Sequence, residues 1–115
     1  MSQSNKKLDL ELLKLIMIQI EGEESPDLSK YTKKQILYNQ SEILEIGWAN
    51  GRPLRGDDEI KAVIITSLTF KGHQALEAMR DDTKLNKLKA SIQKHGVSFS
   101  LSALQIAINQ IFGPS

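Results

Sequence analysis

Leu8, Leu12, Leu13, Ile16, Met17 and Ile20 recur three and four residues apart, the rhythm of one buried helix face. Leu10, Leu15 and Ile18 widen that face, so the predicted helix over 8–20 packs on more than one side, and Gly22 ends it. Residues 23–30, with Pro26 among them, read as a loop. Thr32 stands where it can cap a second helix over 33–46. Ile36, Gln40, Ile43 and Gly47 mark its inner line, with Leu37 and Leu44 at the flanks. Gly47 stops it, because glycine takes a left-handed cap without a Cβ penalty.

The rhythm then changes. Asn50-Gly51-Arg52-Pro53 and Arg55-Gly56-Asp57-Asp58 carry turn chemistry. The run from Ile60 to Leu68 contains Val63, Ile64, Ile65 and Thr66, whose branched side chains favour a pleated sheet. With Trp48-Ala49 ahead of the turns, this predicts two antiparallel strands joined by a basic, glycine-bearing loop. Thr69 caps a third helix to about Arg80, with Phe70, His73 and Leu76 inside and Glu77 and Met79 at the margin. Leu85, Leu88 and Ile92 mark a fourth, stopped at Gly96. Ser100 or Ser102 caps a fifth, with Leu101, Leu104, Ile108, Ile111 and Phe112 along one side, and Pro114 closes the chain.

A helix stopped by glycine and followed by a long-tipped hairpin is the pattern of a recognition helix and its wing. The predicted fold is α+β and mostly helical: a winged helix-turn-helix with a two- or three-stranded antiparallel wing and additional C-terminal helices. It forms one domain over 1–115, with a core over 1–83 and a helical extension over 84–115 packed on it.

Three stretches resemble an uncharacterised bacterial and prophage family, the domain of unknown function 2513. They are Lys7-Leu8-Asp9-Leu10-Glu11-Leu12-Leu13, the segment from Ile36-Leu37-Tyr38-Asn39 to Ile46-Gly47-Trp48, and Leu68-Thr69-Phe70-Lys71-Gly72-His73-Gln74-Ala75-Leu76 through Thr83. Phe70, Asn39, Ala75 and Gln40 depart from the family pattern, which favours tryptophan, histidine and larger apolar residues there. The resemblance implies no activity, cofactor or catalytic residue. The helix–glycine–hairpin unit leading into Leu-Thr-x-x-Gly also resembles many winged-helix transcription regulators, which implies a small regulator, here of prophage origin.

Composition narrows the partners. The chain has 115 residues, 40% apolar and 25% charged, so it can build its own core. It has no cysteine, which excludes disulfides and thiol chemistry and fits a reducing cytoplasm. No apolar run reaches the roughly 18 residues that span a bilayer, so no membrane partner is expected. Net charge is only +1, but residues 84–115 carry Lys84, Lys87, Lys89 and Lys94 and no acid. Arg80 extends that basic line, which can attract phosphate but reads more readily as a solvated face opposite Leu85, Leu88 and Ile92.

The candidate chemistry is binding. If the second helix enters a DNA groove, Lys33, Lys34, Tyr38 and Asn39 meet it, with lysines on phosphate and Asn39 on an adenine edge. Arg52 and Arg55 in the hairpin loop then reach the backbone or minor groove, against the opposing charge of Asp57, Asp58 and Glu59. The alternative is a protein-interaction module without nucleic acid. The apolar last helix either closes the core or pairs two copies, which suggests a homodimer. His73 and His95 lack the converging ligands a metal needs, and no nucleophile, phosphate loop or paired carboxylate set is present. No enzyme, cofactor, metal or small-molecule ligand is therefore expected.

Overall fold

Asp9 opens the first helix, α1 (Leu10–Glu21), by accepting the Leu12 N–H on its carboxylate at 3.0 Å. The computed structural model describes residues 8–22, 24–95 and 100–112. The second helix, α2 (Lys33–Ile46), begins at a capping box. Gln35 N–H donates to Thr32 Oγ1 at 3.1 Å, and Thr32 N–H donates back to Gln35 Oε1 at 2.8 Å. Gly47 ends α2 at φ 87°, and Trp48 N–H returns to the Ile43 carbonyl at 3.0 Å. Two antiparallel strands follow, β1 (Ala49–Gly56) and β2 (Glu59–Leu68), then α3 (Phe70–Arg80), α4 (Asp82–His95) and α5 (Leu101–Phe112). The fold is α+β, consistent with a winged-helix-like arrangement whose wing has two strands. No helix among the described residues is long and apolar enough to cross a membrane.

The hairpin departs from the expected boundaries. The residues read as a loop, Asn50 to Gly56, lie within β1, and the reversal falls on Asp57 and Asp58 alone. Both aspartates sit at positive φ, 52° and 67°, the left-handed conformation of a two-residue hairpin turn that aspartate tolerates better than most residues. Pairing with the Val/Ile-rich β2 overrides the local turn preference of Asn50, Gly51 and Pro53. The register runs from Ala49↔Leu68 to Gly56↔Glu59, and β2 supplies an extra residue twice, at Thr66 and at Lys61.

One buried cluster runs through all five helices and the base of the hairpin. Leu12, Leu13, Ile16 and Met17 of α1 meet Ile43, Trp48, Leu76, Met79, Leu88, Leu104 and Ile108 there. The last helix therefore closes the core: Leu101, Leu104, Ala107 and Ile108 are buried, and Trp48 Nε1–H donates to Gln105 Oε1 at 2.6 Å. The side chains of Ile92, Ile111 and Phe112, and the stops at Gly96 and Pro114, lie outside the described residues.

The third helix is rotated from its expected face. Phe70 is 75% exposed and His73 is exposed too, while Gly72, Ala75, Leu76 and Met79 are buried. Gly72 sets this orientation. A Cβ there would lie 1.9 Å from the Trp48 carbonyl oxygen, so only glycine lets the backbones approach. At about 100° per residue, Phe70 then turns roughly 200° away from the Gly72 line. Thr69 pins the same corner: its hydroxyl donates to the Gly47 carbonyl at 2.6 Å and accepts the Gly72 N–H at 3.1 Å, and its N–H donates to the Trp48 carbonyl at 2.9 Å. On the outer side, His73 and Arg80 both face Glu21 of α1, at 3.8 Å and 2.9 Å.

Candidate nucleic-acid interface

The six residues expected to meet DNA do not form one surface. Lys33 and Lys34 stand exposed in the first turn of α2, just after the Thr32 cap. Neither joins an ion pair among the described residues. Unsatisfied N–H groups give a helix start a partial positive charge, so the two lysines add to a field already favourable to anions.

Beyond that turn α2 has little free surface, because it packs on α1, both strands and α5. Of its residues after Lys34, only Glu45 is fully exposed. Tyr38 is half-buried against the core, and burial, then Glu42 and Glu45, push its hydroxyl pKa up. Burial, and then Glu45, also hold the Glu42 carboxyl above its usual range. The C-terminal half of α2 is thus acidic where it is accessible, and it repels a polyanion.

Asn39 corrects the expectation outright. It is fully buried, and its amide is committed to the fold. Its Oδ1 accepts the Asp9 N–H at 3.1 Å, and its Nδ2 donates to the Gln35 carbonyl at 2.8 Å. A side chain sealed between α1 and α2 cannot reach a base edge. The signal was present in the sequence, since Asn39 lies three residues after Ile36 and four before Ile43, in line with the buried face.

The two arginines part company. Successive residues of a strand face opposite ways. Gly51 pairs with Ile65, which packs on the core, so Gly51, Pro53 and Arg55 face the inner side of the ribbon. Asn50, Arg52 and Leu54 face the outer side. Arg52 and Arg55 are both exposed, but they lie on opposite faces rather than at one loop tip. The tip itself is Asp57 and Asp58, both exposed and acidic. Leu54 and Ile64, 39% and 42% exposed on the outer face, escaped the sequence reading. The period-two spacing of Arg52 with Leu54 and of Ala62 with Ile64 was the clue.

The basic line after Arg80 is only partly a free surface. Arg80 is engaged with Glu21, Lys84 is half-buried, and Lys87 and Lys89 are exposed. The side chains of Lys94 and His95 lie outside the described residues.

Residues 7–98 match the family model described as Hypothetical protein (DUF2513). The chain belongs to that family. The DUF2513 match takes in α1 through α4, both strands and the Gly47, Trp48, Thr69 and Gly72 corner, so the corner lies inside the family's own region. Among curated proteins and among solved structures, nothing matches the chain.

Proposed function

We propose that the chain is a DNA-binding module that holds duplex DNA through its phosphates rather than by reading bases. The observation that carries this is the pair Lys33 and Lys34, exposed and in no ion pair among the described residues, at the positive end of α2. Arg55, exposed on the inner face of the ribbon, is the arginine assigned to join them; Arg52 is on the opposite face. Glu42, Glu45 and the Asp57-Asp58 tip keep the rest of α2 and the end of the wing off the polyanion. With Asn39 withdrawn into the core, affinity depends little on sequence.

The test is binding of mixed-sequence duplex DNA by fluorescence anisotropy across a salt series. Two or three neutralised phosphates should cost roughly ten- to fortyfold in affinity between about 50 and 200 mM salt. Lys33→Glu with Lys34→Glu should abolish the binding. No binding of the native chain at about 50 mM salt would sink the reading.

A second reading, a protein-interaction surface without nucleic acid, draws on Leu54 and Ile64. Of the last helix, Leu101, Leu104, Ala107 and Ile108 are buried and Ile106 is the large apolar residue exposed among the described side chains, so this reading draws on the ribbon first.

A further inference from the structure

The outer face of the ribbon is ordered from base to tip in four rows: Asn50 with Ser67, Arg52 with Ile64, Leu54 with Ala62, and Gly56 with Glu59. Base to tip, it thus presents a polar pair, a cation beside an apolar residue, an apolar centre, and an anion. Leu54 and Ile64 leave the middle open to solvent. Glu59 gives one carboxylate oxygen, Oε2, to Lys61 at 3.2 Å, which among the described residues leaves Oε1 for a further donor.

From this order we infer that the ribbon face is a contact between two copies of the chain, laid face to face and antiparallel. Reversing a copy about the Leu54–Ala62 row sets its Arg52–Ile64 row over the partner's Gly56–Glu59 row. Symmetry makes the same match a second time, as a two-fold interface requires. Leu54 then meets Leu54 of the second copy, and Arg52, standing over Gly56 of the second copy, where no side chain blocks it, reaches diagonally to Glu59 in the same row on each side. The ribbon's edges are poor sites for adding a strand: Pro53 lacks an N–H on β1, and the two bulges break β2. Contact through the face avoids both obstacles. At about 3.3 Å per residue the face is about 25 Å long and about 10 Å wide. That is well below a standard interface, so the association is weak, with a dissociation constant of tens of micromolar or above. The inference is independent of DNA binding, because Lys33, Lys34 and Arg55 lie off this face.

Sedimentation of the full chain across a concentration series tests it. The native chain should show a monomer–dimer equilibrium. Ile64→Glu should remove it, with circular dichroism confirming that the exposed substitution leaves the fold intact. Arg52→Glu and Glu59→Arg should each weaken it by about tenfold, and the two together should restore it. A native chain that stays monomeric near millimolar concentration overturns the inference. So does a dimer indifferent to Ile64→Glu, or a double variant no better than either single one. Loss of DNA binding with the dimer retained counts only against the DNA reading.

Discussion

The corner where α2 passes into β1 and the ribbon that follows it are neighbours in sequence but opposite in constraint. At the corner, Gly47, Trp48, Thr69 and Gly72 interlock through backbone hydrogen bonds, one hydroxyl and a contact too close for a Cβ. Each group there satisfies another, and water is excluded from Trp48 altogether. Along the ribbon, β1 is exposed from Asn50 through Arg55, and apart from Gly51, where a Cβ would strike the Ile64 carbonyl, its side chains are free of the core's volume constraint. A region of the first kind dictates its residues through packing, while a region of the second kind leaves them open to whatever the protein binds. Stability should therefore depend on the corner and binding on the ribbon and the start of α2.

The widest separation between the two should come from Trp48→Ala. Losing a fully buried indole and its hydrogen bond to Gln105 is expected to cost about 3–5 kcal/mol in denaturant unfolding. Gly72→Ala comes next, at about 2–3 kcal/mol, because the carbonyl it strikes belongs to a backbone held by Thr69. Asn39→Ala should cost about 1–3 kcal/mol by stranding the Asp9 N–H, while leaving DNA affinity of the folded protein unchanged. A folded Asn39→Ala protein that no longer binds DNA would return this residue to the interface. Ile64→Ser should change stability by less than about 0.5 kcal/mol, as befits an exposed ribbon position.

The smallest effect concerns pH. Glu42 has its folded-state pKa raised, chiefly by burial and then by Glu45, so the native protein holds that proton more tightly than the unfolded chain. The stabilisation is present in acid and is lost as pH rises through the folded value. Glu42→Gln should therefore be more stable than the native chain near pH 7, and the gain should vanish near about pH 4. A thermal-melting series over that range shows it as two curves that converge in acid.

Much of this architecture was legible beforehand, for identifiable reasons. Five helices announced themselves through apolar spacing, and Thr32, Gly47 and Thr69 marked their ends through capping chemistry that acts within a few residues. What misled the reading was non-local. Asn50 to Gly56 look like a loop until β2 is laid beside them, and Phe70 looks internal until Gly72 is known to touch Trp48. Asn39 was hidden by its polarity: an amide on an apolar line can be buried if the start of another helix supplies a hydrogen bond. The candidate interface suffered most, because which arginine shares a side with which lysine depends on strand register, and register is set by pairing.

The bond from Trp48 to Gln105 carries a practical warning about where this module stops. The region shared with the family ends at residue 98, yet Leu101, Leu104, Ala107 and Ile108 lie in the same core as α1. A fragment trimmed to the matched stretch would lose its lid, exposing the indole and the aliphatic side chains around it. Such a fragment should be sticky and poorly behaved in solution, and its failures would say nothing about what the intact molecule binds.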